Sequence, residues 1–177
     1  MRKLLVVVDM QNDFIDGSLG TPEAQAIVEA VLNKIEAYQE GDVFATRDTH
    51  PENYMETQEG KFLPVEHCIK GTRGWQLREE VDYDLELKRA YVYDKPTFGS
   101  VKLAEAIRMI AEEEKGQIEV ELIGLCTDIC VISNALLLKA YMPEVKISVD
   151  SACCAGVTPA KHEAALETMR SCQIVVN

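Results

Sequence analysis

A cysteine that follows a strand and opens a helix is positioned to act as a nucleophile, and Cys130 has that setting. It lies in Gly124-Leu125-Cys126-Thr127-Asp128-Ile129-Cys130-Val131, between an apolar run of strand character, Ile118 to Ile123, and an apolar helical run, Val131 to Tyr141. Unpaired N–H groups and a partial positive charge at a helix N-terminus favour a thiolate and any oxyanion formed beside it. Other reactive side chains recur at strand ends: Asp9 after Leu4 to Val8, Asp48 and His50 after Val43 to Thr46, and Lys95 after Tyr91 to Tyr93. Taken singly, Cys130 reads as a packing cysteine, Asp9 as a cap and Lys95 as a solvated lysine. Together, one acid, one cation and one thiol form a catalytic set. Asp48, His50 and His67 form a second set. A carboxylate with two of only three histidines in the chain suits zinc, iron or manganese, with positions left open for water or substrate.

The elements that must position these groups alternate along the chain. Leu4 to Val8 is a continuous aliphatic run, as in a central parallel strand covered on both faces. Thr21-Pro22 reads as N-cap and first helical residue, and the spacing of Ala26, Ile27, Ala30, Val31, Ile35 and Tyr38 predicts one helix up to Gly41. Glu52 to Asp84 carries Gly60, Pro64, Gly71 and Gly74 with no sustained period, which predicts a long functional loop. Ser100 caps a helix with Leu103, Ala104, Ile107, Ile110 and Ala111 on its inner face, stopped by Gly116. Val145 to Val149 is a fifth strand, Thr158-Pro159 starts a last helix, and Ile174 to Val176 is a sixth strand. Such alternation implies an α/β fold with a mostly parallel sheet, helices on both faces and right-handed crossovers. Ligands then bind beyond the carboxyl ends of the strands, the rim that all the reactive residues share.

Composition narrows the classes. A chain of 177 residues, 47% hydrophobic and 27% charged, predicts one globular domain over 1–177 with no linker. Thirty acidic against eighteen basic residues give a net charge of -12, which argues against nucleic acid or an anionic membrane as partner. The apolar run after Met1-Arg2-Lys3 stops at Asp9, short of a secretory signal, and no stretch is long enough to span a bilayer. Six cysteines, at 68, 126, 130, 153, 154 and 172, contain no C-x-x-C pair, which suggests reduced thiols in a cytoplasm. The arginine in Cys68-Ile69-Lys70-Gly71-Thr72-Arg73 comes one residue too early for a thiol phosphatase loop, and no G-x-G-x-x-G follows a strand.

Five motifs carry a resemblance that covers nearly the whole chain. They are Val8-Asp9-Met10-Gln11-Asn12-Asp13-Phe14, Arg47-Asp48-Thr49-His50-Pro51, Pro64-Val65-Glu66-His67-Cys68-Ile69-Lys70-Gly71-Thr72, Lys95-Pro96-Thr97-Phe98 and the segment around Cys130. In this order and spacing the chain resembles the isochorismatase-like cysteine hydrolases, and within them the nicotinamidases. The resemblance implies a three-layer α/β/α fold whose six-stranded sheet is ordered 3-2-1-4-5-6. It implies an Asp9, Lys95 and Cys130 triad, with the backbone N–H groups of Cys126 and Cys130 as oxyanion donors and a cis Leu125-Cys126 bond. With strand three at an edge, Lys95 is expected to reach the site through its loop. The resemblance also implies a divalent metal, zinc before iron or manganese, on Asp48, His50 and His67, with Glu59 ahead of Glu56 as a fourth ligand. Phe14 becomes a wall for a flat ring.

The implied activity is hydrolysis of nicotinamide, or a close aromatic carboxamide, to the acid and ammonia through a thioester on Cys130, a step of NAD salvage. Members often form homo-oligomers. Two departures touch the ring pocket: Pro64 and Ile129 stand where relatives often carry aromatic residues. The alternatives are another hydrolase of the family acting on a carbamoyl or ureido amide, and a thiol redox-sensing or binding protein that uses Cys130 and Cys126.

Overall fold

A computed structural model of the chain covers residues 1–177. Its elements are β1 (Arg2–Val8), α1 (Asn12–Ile15), α2 (Pro22–Ala26), α3 (Val28–Glu36), β2 (Val43–Asp48), α4 (Gln58–Phe62), α5 (Glu79–Leu87) and β3 (Tyr91–Lys95). They continue with α6 (Val101–Glu113), β4 (Ile118–Leu125), α7 (Ile132–Tyr141), β5 (Lys146–Ala155), α8 (Pro159–Ser171) and β6 (Val175–Val176). The six strands form one sheet ordered β3-β2-β1-β4-β5-β6, and every pair is parallel. Helices cover both faces.

Side-chain alternation divides the core. Leu4, Val6 and Val8 of β1 join the layer built with α6, α7 and α8, where Leu103, Ile107, Ala135, Leu138, Leu166 and Met169 pack. Leu5 and Val7 point the other way, toward Val31 and Ile35 of α3 and Val81 and Leu85 of α5. Because β1 is buried on both faces, its sequence is continuously aliphatic rather than alternating. Thr21, Ser100 and Thr158 cap their helices by accepting from the backbone N–H three residues on. No helix is long and apolar enough to cross a membrane.

Several elements differ from expectation. The helix expected from Thr21 to Gly41 is divided at Ile27 and ends at Glu36. Ile27-Val28 is the β-branched pair in that stretch, the weakest helix former along it. The segment from Glu52 to Asp84 is not one loop. It holds a 3₁₀ turn at Tyr54–Glu56, then α4, and it runs into α5. Gly60 allows this compaction, since a Cβ there would lie 2.2 Å from the Tyr54 carbonyl oxygen. The sequence hides α5 because only Val81 and Leu85 turn inward, too narrow a stripe for a clear period. Glu79, Glu80 and Asp82 in its first turn are a helix-start signal that was present. β5 runs on to Ala155 past an irregularity in its pairing with β4, which carries Cys153 and Cys154 into buried sheet positions.

Candidate active site

The strand order reverses between β1 and β4, and both strands end at the same rim. Asp9 follows β1 in a left-handed conformation (φ 47°) and is fully buried. One of its carboxylate oxygens, Oδ1, accepts from the Thr46 hydroxyl at 2.7 Å. The other, Oδ2, faces Lys95 Nζ at 2.7 Å. Lys95 does not reach the site through a loop. It is the last residue of β3, in register with Asp48 of β2. From there its long side chain crosses the end of β2, passing Asp48 Oδ1 at 3.7 Å, to meet Asp9, and donates to Cys130 Sγ at 3.3 Å. Asp9, Lys95 and Cys130 thus converge, Asp9 and Lys95 buried and Cys130 at the edge of a cavity.

Cys130 sits in a π turn, Thr127–Val131, between β4 and α7. The Leu125-Cys126 peptide is cis. The Cys126 carbonyl accepts from the N–H groups of both Ile129 and Val131, while the Cys126 N–H has no backbone acceptor. Gly124 brings β4 against β1: its φ is 113°, and a Cβ there would lie 2.1 Å from the Val8 carbonyl oxygen. Only glycine tolerates both conditions.

Electrostatics alter the expected picture of a resting thiolate. Burial, the largest influence, and the charge of Asp9 push the Cys130 thiol well above its usual range, and Lys95 offsets them only in part. Burial also raises the Asp9 carboxyl, although Lys95 and Thr46 pull it down. Burial opposes the charge on Lys95, but the carboxylates of Asp9 and Asp48 outweigh it, so Lys95 holds its proton more tightly than an ordinary lysine. Burial therefore favours the protonated thiol over the thiolate, and Lys95 Nζ links the sulfur to Asp9 Oδ2. A helix terminus contributes a partial charge within about one turn, less than complete desolvation removes.

The second set assembles next to the first. Asp48 Oδ2 lies 2.9 Å from His50 Nε2 and 3.7 Å from His67 Nε2. Glu59 Oε1, on α4, lies 3.6 Å and 3.8 Å from the same two nitrogens. Glu56 turns away and accepts from Asn53. His50 Nε2 is buried and, although close to Asp48 Oδ2, has no hydrogen bond of good geometry, while His67 Nδ1 engages the Val65 carbonyl at 2.8 Å, which turns its Nε2 toward Asp48 and Glu59. The ligand atoms of Asp48, His50 and His67 all lie within 4.8 Å of one another, a donor set that fits a divalent ion, and Glu59 is the nearest further carboxylate.

An apolar cavity of about 330 Å³ connects the two sets, bounded by Phe14, Phe98, Ile129, Cys130, Asp48 and Glu59 among others. Phe14 lies against His67, with ring centroids 5.6 Å apart. The aromatic residue at the lip is Phe62, 84% exposed, rather than anything at position 64. Motif reading passed over four supporting residues. Gln11 accepts from Asp48 N and donates to Asp48 O. Thr46 holds Asp9. Asn134 donates to the carbonyls of Cys130 and Phe98 and accepts from Ser100 N, tying the π turn to the loop after Lys95. Tyr54 packs edge-on against both His50 and His67. A polar residue four positions after Cys130, on an otherwise apolar helix, was the available signal for Asn134; nothing local marks Tyr54.

Residues 3–177 match the family described as Isochorismatase domain. The nicotinamidase/pyrazinamidase of Mycobacterium tuberculosis is 28% identical over 181 residues, covering 97% of this chain and 96% of that protein. The solved pyrazinamidase/nicotinamidase of Streptococcus mutans is similar with a TM-score of 0.82 and 29% identity, covering 99% of each chain. The pyrazinamidase of Pyrococcus horikoshii, solved in complex with zinc, has a TM-score of 0.75 and 26% identity, covering 100% of this chain and 99% of that one.

Proposed function

This chain belongs to the isochorismatase family, and from that premise we propose that it hydrolyses nicotinamide, or a close aromatic carboxamide, to the acid and ammonia. It is a hydrolase of an amide C–N bond. The observation that carries the finer reading is the meeting of Asp9, Lys95 and Cys130 beside the clustered ligand atoms of Asp48, His50 and His67, around one apolar cavity.

In this reading the amide carbon lies against Cys130 Sγ and the flat ring lies against Phe14. Burial keeps the thiol protonated until Asp9 Oδ2 accepts its proton, and Sγ then forms a bond to the amide carbon. Lys95 holds the charge on Asp9 and on the developing thiolate. The backbone N–H groups of Cys126 and Cys130 receive the oxyanion, each worth about 3 to 4 kcal/mol of barrier where such donors are preorganised. Asp9 returns its proton to the amide nitrogen, the C–N bond breaks, and ammonia leaves a thioester. Asp9 then takes a proton from water as the water oxygen attacks the thioester, and that proton goes back to Cys130 Sγ as the acid departs.

Asp48, His50 and His67, with Glu59 beside them, would hold a divalent ion, zinc first, which would supply Lewis-acid chemistry toward a ring nitrogen. The setting is a step of NAD salvage in the cytoplasm. A carbamoyl or ureido substrate would leave that chemistry unused. A redox-sensing thiol is disfavoured because Cys130 rests protonated and enclosed.

The test is ammonia release from nicotinamide by purified, zinc-supplied protein, with Cys130→Ala and a chelated sample alongside. Turnover lost in both is expected. Turnover lost only in Cys130→Ala would remove the metal from the reaction, and no release from the metal-replete protein would overturn the nicotinamide assignment.

A further inference from the structure

One polar contact at the π turn, buried on its Thr127 side, has no part in the scheme above. Thr127, fully buried, follows Cys126 directly, and its hydroxyl lies 2.8 Å from Nδ1 of His162 in the first turn of α8. A second link runs parallel to it: Asp128 Oδ1 accepts from Val157 N at 2.9 Å. The corner between them is pressed close, since a Cβ on Gly156 would lie 2.8 Å from His162 N and 2.9 Å from Asp128 Oδ1. Within the turn, Val131 N and Ile129 N both donate to the Cys126 carbonyl, and the two side-chain links tie its Thr127-Asp128 side to the segment that enters α8.

We propose that His162 is a positioning residue for the oxyanion hole, acting through the Thr127 hydroxyl; this rests on the amidase reading. In this role the Thr127 hydroxyl donates to His162 Nδ1, which fixes the side chain of the residue that follows Cys126. The Cys126 N–H is thereby held toward the point where the amide oxygen becomes negative. His162 touches neither substrate nor Cys130 in this role. Its loss leaves the Thr127 hydroxyl buried without a partner, and the turn rotates to find one. The ground-state amide, which carries little charge on oxygen, feels the shift less than the transition state does.

The experiment compares wild type, His162→Ala, His162→Asn and Thr127→Val on nicotinamide. A donor misplaced by about 1 Å costs on the order of 100-fold in rate, so His162→Ala and Thr127→Val are each expected to lose about 10- to 100-fold in kcat with little change in KM. In His162→Asn the amide Oδ1 takes the place of Nδ1 as acceptor, and most of kcat should return. The double variant His162→Ala/Thr127→Val should be no slower than either single variant. Unchanged kcat in His162→Ala, a loss confined to KM, or no recovery in His162→Asn would overturn the proposal.

A second readout needs no turnover. Pyridine-3-carbaldehyde adds to Cys130: Sγ bonds to the carbonyl carbon, the thiol proton passes to the carbonyl oxygen, and that oxygen occupies the hole. Iodoacetamide alkylates Sγ, releasing iodide and the thiol proton, without calling on the hole. His162→Ala should weaken the aldehyde adduct by the factor lost from kcat while leaving the alkylation rate unchanged. Should wild type release no ammonia, the amidase reading fails. The aldehyde still decides the role of His162, and equal adduct affinity in wild type and His162→Ala, or no adduct in either, would overturn it.

Discussion

Replacing Lys95 by methionine keeps the length of the side chain and removes the one cation between Asp9 and Asp48. In the intact protein Nζ lies 2.7 Å from Asp9 Oδ2 and 3.7 Å from Asp48 Oδ1, with all three side chains buried. At an effective dielectric of about 20, the closer pair attracts by roughly 6 kcal/mol and the farther by roughly 4 to 5. Desolvation of the ammonium and the carboxylates consumes several kcal/mol of that gain, so the expected net loss is about 3 to 5 kcal/mol, the usual result of removing one partner from a buried pair. For a chain of this length that corresponds to a fall in Tm of about 6 to 20 °C. The double variant Asp9→Asn/Lys95→Met removes both charges and should melt above Lys95→Met alone, although neither turns over amide. The deficit of Lys95→Met should also shrink in mild acid. Burial already raises the Asp9 carboxyl, and without Lys95 it rises further. The folded variant then binds the proton more tightly than its unfolded chain does, so its stability falls as pH rises through that range. Thermal unfolding followed by circular dichroism, over a series of pH values, measures all of this. A Lys95→Met protein melting within about 2 °C of wild type, or a double variant melting below it, would refute the reasoning.

Thr46→Val removes the hydroxyl that stabilises the Asp9 carboxylate, so the acid limb of kcat/KM for amide hydrolysis should move to higher pH; a limb that stays or moves down would show that Thr46 does not tune Asp9. Glu59→Gln should weaken zinc binding by at least about 10-fold in competition with a chromophoric chelator, while Glu56→Gln should not. Equal losses in the two would remove Glu59 from the ligand set. Tyr54→Phe gives up only the bond from its hydroxyl to the Leu63 carbonyl, about 1 kcal/mol by urea unfolding, and should keep zinc affinity. Tyr54→Ala should cost about 3 to 5 kcal/mol, because the ring packed on His50 and His67 is lost with the cavity it fills.

What the sequence by itself determined is the part of this protein governed by local order along the chain. The aliphatic run of β1, the caps at Thr21, Ser100 and Thr158, and the strand-then-helix setting of Cys130 follow from periodicity and backbone chemistry within a few residues. Alternation then implies a parallel sheet, and a parallel sheet puts strand ends such as Asp9 and Asp48 on one rim. The strand order came from family resemblance and not from any period. Tertiary structure decided what depends on desolvation and on contacts between residues far apart in the chain. Lys95 projects from the end of an edge strand only because β3 runs in register with Asp48. Glu59 faces the histidines and Glu56 does not because Gly60 lets α4 fold onto Tyr54, a choice that two similar acidic residues cannot announce. The resting state of Cys130 reversed the local expectation for the same reason. A helix terminus can be read from neighbouring residues, but the complete burial that outweighs it exists only once β1, β3 and the π turn have closed around the sulfur.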